Sequence, residues 1–327
     1  MDINQIAQMA GVSRATVSRY LNDGYVSQEK RAAIRRVIER TGYVPSRQAK
    51  TLRTGKTNVV GVIIPKINSA SVSRMVAGIT PVLNEAGYQV LLANTDNDAA
   101  REVDFLRLFA EKSQVDGVIL IATVLTPEHE EAISALPVPI VVLDQDVSLC
   151  PCVHQNDRDA MRDVAALALR AARRPAYIGV FEDDVAVGQM RRAGFFDACA
   201  AAGVEVPERA VRIADFTLDS GYEQTEALLE AYPELDAVVC ATDSIAHGAL
   251  TCLREYGRRV PEEVSVTGID DSDISQITMP TLTTVHLHFK SSGAEAARML
   301  VGLMSGDDAV AREVKMGYEV VARNSTR

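Results

Sequence analysis

From residue 58 onward, apolar segments of strand length alternate with amphipathic segments of helical period, in two successive rounds. The apolar segments lie at 59–64, 88–93, 117–122 and 140–143 in the first round and at 176–181, 211–213, 237–241 and 264–269 in the second. This alternation is typical of parallel sheets covered by helices on both faces. It predicts an α/β body of two doubly wound lobes, with ligands bound in the cleft at the carboxyl ends of the strands.

Residues 2–22, DINQIAQMAGVSRATVSRYLN, predict a helix-turn-helix ahead of this body. Gly11 supplies the left-handed turn that ends the first helix, and Ser13 caps a second helix over 14–21. A third helix is expected over 27–42. Three-helix units of this kind bind DNA by placing the first turn of the second helix in the major groove, although short helices joined by glycine also occur in bundles that never bind DNA.

The charge distribution favours the DNA-binding interpretation over the bundle. Residues 1–56 contain 11 Lys or Arg and four Asp or Glu, which is a net charge of +7, whereas the whole chain carries −10, so the later residues carry −17. A basic segment joined to a strongly acidic one is expected when the first faces a polyanion and the second stays away from it.

The chain is expected to divide into a head at 1–44, a linker at 45–57 and a body at 58–327. The linker contains helix formers and basic residues, but Ala49 and Leu52 are its only apolar positions over 46–56. It is therefore a poor core helix and is expected to order only against a partner.

The composition excludes several other classes of protein. The chain has 327 residues and 47% hydrophobic composition, enough for a large core, but no apolar run of membrane-spanning length and no export signal at its first residues. A cytoplasmic protein without membrane association is expected. The five cysteines are scattered and odd in number, which argues against a disulfide framework, and Cys150-Pro-Cys152 is interpreted as unreactive thiols rather than as a metal or redox pair.

Specific motifs run through the whole chain: IAQMAGVSRATVSRYLN, TGYVPSRQAKTLRTGKT, VDGVI (115–119), RRAGF (191–195), ATDSIAHGAL (241–250), VTGIDD (266–271), TLTTV (281–285) and RNST (323–326). On these motifs the sequence resembles the lactose-repressor (LacI/GalR) family of bacterial transcription factors over essentially its full length. The resemblance implies a helix-turn-helix head and a two-lobed body like that of periplasmic binding proteins. The implied lobes are 58–157 plus 287–316 and 158–286 plus 317–327.

The resemblance also implies how the head meets DNA. Arg14 and Ala15 match the principal major-groove residues, which is chemically sensible because arginine pairs with guanine and alanine can touch the thymine methyl group. The implied supporting contacts are those of Thr16, Ser18, Arg19, Asn22 and Tyr25. The linker resembles a hinge helix that folds on operator DNA, with the implied contacts Ser46, Arg47, Ala49, Lys50, Leu52 and Arg53. Leu52 matches a leucine that opens a base step in the minor groove, although it could also be a packed linker leucine.

In the body, the resemblance points to a small-molecule effector, most simply a sugar. Arg191 matches an arginine that donates to sugar hydroxyls, and Asp270 matches a carboxylate that accepts from them. Phe216 falls at an aromatic platform position but could equally be an ordinary core residue. Weaker candidates, each of which could be a strand-end cap or turn residue, are Ser69, Ser71, Asp144, Thr242, Asp243 and Phe289. The stretch 67–75 lacks the aromatic residues of many relatives, which leaves the identity of the sugar open.

The expected function is that of a homodimeric repressor that binds a near-palindromic operator and is released by its effector. A dimer is expected because no leucine heptads follow RNST. An enzyme is disfavoured: the carboxylates of GIDDSD (268–273) could hold a cation, but GxGxxG, phosphate-loop and nucleophile-elbow motifs are absent, and no cofactor or metal is expected. The basic head opposes a pure binding protein. A corepressor-dependent, purine-responsive regulator of the same family stays open, because it differs only in the sign of the response to its ligand.

Overall fold

The computed structural model describes residues 1–43, 56–112, 114–307 and 312–327. The chain forms two compact units, Met1–Thr57 and Asn58–Arg327. The predicted hinge contacts Ser46, Arg47, Ala49, Lys50, Leu52 and Arg53 lie outside the described residues.

The first unit contains three helices, α1 (Ile3–Met9), α2 (Arg14–Leu21) and α3 (Gln28–Thr41). Two reciprocal 2.9 Å bonds between Asp2 and Gln5 form the predicted capping box of α1. Left-handed glycines follow α1 and α3, because L side chains are strained at these positive φ angles. The small core is built from Ile6, Ala7, Val17, Val26, Ile34 and Val37.

The second unit contains two parallel sheets. The first consists of β1 (Val59–Ile64), β2 (Gln89–Asn94), β3 (Gly117–Ile121), β4 (Ile140–Leu143), β5 (Cys152–His154) and β11 (Glu313–Lys315), in the order β11-β5-β4-β3-β1-β2. The second consists of β6 (Pro175–Gly179), β7 (Val211–Ile213), β8 (Ala237–Cys240) and β9 (Ser265–Thr267), in the order β7-β6-β8-β9. An antiparallel pair, β10 (Thr284–Leu287) and β12 (Tyr318–Val321), joins them as the chain crosses between lobes. The predicted α/β architecture is confirmed.

Helices cover both sheets. Those of the first lobe are α4 (Ala70–Glu85), α5 (Ala99–Lys112), α6 (Pro127–Ser134) and α11 (Phe289–Met304). Those of the second lobe are α7 (Asp157–Ala168), α8 (Arg191–Ala201), α9 (Leu218–Ala231) and α10 (Asp243–Glu255). A π-helical turn, Val185–Met190, leads directly into α8, and such turns often occur at functional sites. None of the described helices has the length and apolarity that a membrane crossing requires.

Glycines let neighbouring helices approach closely, as two of the interfaces in the body illustrate. A Cβ on Gly78 of α4 would lie 1.9 Å from the Lys290 carbonyl oxygen of α11, and one on Gly248 of α10 would lie 2.1 Å from the Leu218 carbonyl oxygen of α9. These contacts are too short for any side chain. The backbones therefore pack directly on each other, and this fixes the helices that flank the cleft.

Candidate DNA interface and ligand cleft

The second helix presents the predicted DNA-contacting residues on its outer side. Val17 is fully buried against the core of the head, whereas Arg14, Ala15 and Arg19 are exposed. The Ser13 hydroxyl accepts a hydrogen bond from the Thr16 backbone N–H and so caps the helix at the end that carries Arg14 and Ala15. The exposed side chains of Arg14 in the first turn and of Arg19 in the last turn can reach base edges or phosphates.

The supporting residues lie on the same unit. Thr16 and Ser18 are half-buried, and Asn22 and Tyr25 are exposed. The Asn22 side-chain amide donates to the Ser18 carbonyl oxygen at 2.5 Å, which closes the last turn of α2. These positions leave Tyr25 free of the packed core of the head.

In the second unit, a cavity of about 370 Å³ lies between the lobes at the carboxyl ends of the strands. Asp144 follows β4, Thr242 follows β8 and Asp270 follows β9, so residues from both sheets converge on this space. The nine predicted effector residues all line the cavity: Ser69, Ser71, Asp144, Arg191, Phe216, Thr242, Asp243, Asp270 and Phe289.

Arg191, the first residue of α8, is buried to 3% exposure at the floor of the cavity. Its Nε donates to Asp157 Oδ1 at 2.7 Å, and its Nη1 donates to the Ala241 carbonyl oxygen at 2.7 Å and lies 3.7 Å from Asp270 Oδ1. Burial alone would lower the pKa of Arg191, but the carboxylates of Asp157 and Asp270 outweigh it and raise that pKa. Arg191 is therefore a fixed cation, held in place before any ligand arrives.

Asp157 is a site residue that the sequence did not reveal. It is the first residue of α7, directly after the chain crosses from the first lobe, and it is buried. Acidic residues are common in the first turn of a helix, so no local signal separates Asp157 from an ordinary helix start. Only the fold brings it to Arg191, which is 34 residues away.

Asp144 and Asp270 share an unusual backbone conformation. Their φ angles are +79° and +129°, a region that non-glycine residues rarely adopt and that often marks binding sites. Burial raises the pKa of Asp144 to about 8, with a further contribution from Asp157. Burial likewise raises the pKa of Asp270 to about 7, although Arg191 opposes this shift. Near neutral pH each carboxyl group is available both as a hydrogen-bond acceptor and as a donor.

Two contacts that the sequence also did not reveal join the lobes across the cleft. The buried Gln145 amide donates to the Thr123 carbonyl oxygen and to Asp184 Oδ1, both at 2.9 Å. Asp184 in turn caps the π-helical turn that leads to Arg191, because its carboxylate accepts from the Val187 N–H. Closure of the lobes is thus connected by hydrogen bonds to the segment that presents the buried arginine.

The second contact involves Arg74 of α4. Its guanidinium donates to the backbone carbonyl oxygen of Asp270 at 2.9 Å and lies 5.1 Å from the centre of the Phe289 ring. The strained turn after β9 is therefore held by a cation from the opposite lobe. Asp270, a predicted ligand contact, is therefore also the residue that Arg74 binds from the opposite lobe.

Asp243 is engaged within the protein. Its Oδ1 accepts from the Thr284 hydroxyl at 2.5 Å, and its Oδ2 accepts from the Ser272 N–H at 2.8 Å and from the Ser275 hydroxyl at 2.6 Å. These bonds position the loop that follows Asp270. His247 Nε2 lies 3.2 Å from Ser275 Oγ, but Ser275 is buried and gives its one proton to Asp243, so this Ser-His-Asp group lacks an activated nucleophile.

The other predicted residues have local roles as well as a place in the cavity wall. Ser69 caps α4 and Thr242 caps α10, and the Ser69 and Ser71 hydroxyl oxygens are 2.9 Å apart. Phe216 is half-buried and packs edge to face on Phe181, with ring centres 5.6 Å apart. Phe289 is almost fully buried. Lining the cavity and capping a helix are compatible, since helix N-termini point at the cleft.

Comparison with known proteins agrees with this organisation. The family model described as bacterial regulatory proteins of the lacI family matches residues 2–46, and the periplasmic binding protein-like domain matches residues 164–326. The sucrose operon repressor of Staphylococcus xylosus is 32% identical over 296 residues, which is 90% of this chain and 91% of the relative.

Two solved structures are similar over almost the whole chain. The transcriptional regulator CelR in complex with cellobiose is 31% identical with a TM-score of 0.76, covering 99% of both chains. The lac repressor dimer bound to operator and the anti-inducer ONPF is 25% identical with a TM-score of 0.89, covering 100% of this chain and 99% of the other. The fold and site define a DNA-binding transcription regulator with a periplasmic-binding-protein-like body. The chain belongs to the LacI family.

Proposed function

We propose that the protein is a repressor of a carbohydrate-utilisation operon and that a small sugar in the interlobe cavity releases it from its operator. One observation carries this proposal: at the floor of the 370 Å³ cavity, the buried Arg191 is a fixed hydrogen-bond donor and Asp270 beside it supplies a carboxyl group. Paired donors and acceptors of this kind suit vicinal hydroxyl groups. The relatives support the same ligand class, since one is a sucrose operon repressor and another was solved with cellobiose.

The charge around the cavity favours an uncharged sugar over a sugar phosphate or sugar acid. Five carboxyl groups border Arg191 or line the cavity: Asp144, Asp157, Asp184, Asp243 and Asp270. The cavity-lining cations among the described residues are Arg191, already paired with Asp157, and Lys66. A phosphate placed here would lie beside an arginine already paired with Asp157 and beside carboxyl groups whose raised pKa values show that this site already disfavours negative charge, and like charges in a partly desolvated site cost affinity.

Release from DNA follows from the contacts that cross the cleft. A ligand that binds Arg191 and Asp270 competes with or reinforces the Arg74 and Gln145 bonds, and so changes the relative free energy of two lobe arrangements. A ligand that favours the non-binding arrangement by about 2 kcal/mol lowers operator affinity roughly thirtyfold. The predicted hinge residues, 46–53, would transmit this change to the operator.

A homodimer is part of the proposal. On the loop before β10, Ile277 and Met279 are 78% and 92% exposed, and Ile274 is also exposed. Exposed apolar side chains grouped in one segment are typical of protein interfaces. A second copy of the chain is the partner we expect, because two heads are needed to read the two halves of a near-palindromic operator.

A thermal-shift screen of matched ligand pairs tests the effector class. Each neutral sugar is compared with its phosphate and its acid, and the expected result is stabilisation by a neutral sugar only. Stabilisation by the phosphate partner alone would contradict the charge argument. Operator affinity is then measured with and without the ligand found in the screen. Weaker operator binding is expected of an inducer, whereas tighter binding would identify the ligand as a corepressor.

A further inference from the structure

Three side chains with metal-binding atoms converge at one edge of the first sheet. They are Asp146 in the loop after β4, His154 at the end of β5 and Glu313 at the start of β11. One ligand atom from each lies within 4.8 Å of the other two. The parallel pairing of β5 with β11 brings Glu313 to His154 although 159 residues separate them. Sequence spacing could not indicate this group, and no metal was expected from the sequence.

Each ring nitrogen of His154 faces an oxygen acceptor. The side chain is 9% exposed, and its Nδ1 lies 3.2 Å from the Gln155 carbonyl oxygen, which can only accept, so this contact is a hydrogen bond when Nδ1 carries the proton. In a neutral imidazole the lone pair of Nε2 then faces Glu313 Oε1 at 3.0 Å, with two acceptors opposed. Either a second proton or a metal ion must lie between these atoms.

We propose that Asp146, His154 and Glu313 bind a divalent metal ion of the zinc class. Imidazole and carboxylate are the nitrogen and oxygen ligands that zinc takes, and the Nδ1–H bond to a backbone carbonyl is the outer contact that fixes a ligating histidine. Metal–ligand bonds of about 2.0–2.2 Å in tetrahedral geometry place the ligand atoms roughly 3.4 Å apart. Glu313 Oε1 already lies 3.0 Å from His154 Nε2, so the remaining approach is that of Asp146, whose exposed side chain can make the small movement required.

The ion would connect the loop after β4 to the edge strand β11. Asp146 is adjacent to Gln145, whose amide crosses the cleft to Asp184. Metal binding would therefore stiffen the segment that also carries Asp144. The unfolded chain does not hold the three ligands together, so the ion binds the folded chain and should raise its unfolding temperature.

The test is calorimetric titration of the untagged, reduced full-length chain with Zn²⁺, and separately with Co²⁺. One site per chain and a higher unfolding temperature are expected. Glu313→Gln, Asp146→Asn and His154→Gln should each weaken binding at least tenfold. Glu313→Gln changes an exposed side chain and is the variant least prone to misfold.

His286→Gln is the matched control. His286 Nδ1 also lies 3.0 Å from a carboxylate oxygen, that of Asp271, but Arg323 holds the other oxygen of the same carboxylate. The control should bind Zn²⁺ like wild type. Absence of metal binding, binding that survives Glu313→Gln and Asp146→Asn, or binding that is lost in Cys150→Ser or Cys152→Ser would each overturn the proposal.

Discussion

Arg191→Ala should destabilise the body as well as impair ligand binding. The arginine is 3% exposed and its closest partner, Asp157, is also buried, with Nε and Oδ1 2.7 Å apart. Removing the cation leaves a buried carboxylate with no compensating charge, in a cavity that already contains Asp144, Asp184 and Asp270. Breaking a buried pair in this way costs about 3–5 kcal/mol.

The assay is thermal unfolding of wild type, Arg191→Ala, Asp157→Ala and the double variant at one pH. For a domain of this size the expected loss corresponds to a decrease in the unfolding temperature of roughly 6–20 °C. The double variant should be less destabilised than the sum of the single changes, because neither charge is then left alone. A loss below about 1 kcal/mol in Arg191→Ala, or strict additivity in the cycle, would refute the argument that the pair is mutually dependent.

Three further outcomes are expected. Gly248→Ala should lower the free energy of unfolding by about 1–3 kcal/mol, because its Cβ would meet the Leu218 carbonyl oxygen. Gly317 has open space around it, so Gly317→Ala should change the unfolding midpoint little. Equal losses of stability in the two variants would contradict the packing argument. Burial raises the pKa of Asp144 from 3.8 to about 8, so the free energy of unfolding of wild type should decrease as the pH rises through that window. Asp144→Asn should lose less stability over the same window, which urea unfolding at a series of pH values would show. Parallel curves of stability against pH for the two proteins would contradict this expectation. Arg14→Ala should weaken specific operator binding by about 1–3 kcal/mol and leave binding to random-sequence DNA nearly unchanged. An equal loss of affinity for both DNAs would mean that Arg14 contacts a phosphate rather than a base.

The long apolar segments were sufficient to predict most of the fold. Strands such as β1 and β3 are buried on both faces and so are continuous apolar runs in the sequence. The strands β5, β11 and β12 were not predicted: each is three or four residues long and, unlike β7, none lies directly between two predicted helices, and β11 and β12 include exposed residues. A pattern of this length carries no period to recognise.

The candidate site was predictable where a residue follows a strand or a motif. Asp270 lies in the VTGIDD motif directly after β9, and Arg191 begins RRAGF. Asp157, Asp184 and Gln145 were missed because their roles depend on contacts with residues 34 and 39 positions away in sequence. The structure also changes the view of Arg191, which is a buried residue in an ion pair as well as a candidate ligand donor.

The central claim is that a sugar in the cleft controls operator affinity through Asp270. The direct measurement is operator release against concentration of the sugar found by the screen, for wild type, Asp270→Asn and Asp104→Asn, an exposed carboxylate on α5. At pH 8, above the pKa of about 7 to which burial raises Asp270, the carboxylate is ionised. Loss of a charge-assisted hydrogen bond then costs about 1.5–3 kcal/mol, so Asp270→Asn should need at least tenfold more sugar for release, while Asp104→Asn should match wild type. Release of Asp270→Asn at the wild-type sugar concentration would contradict the claim.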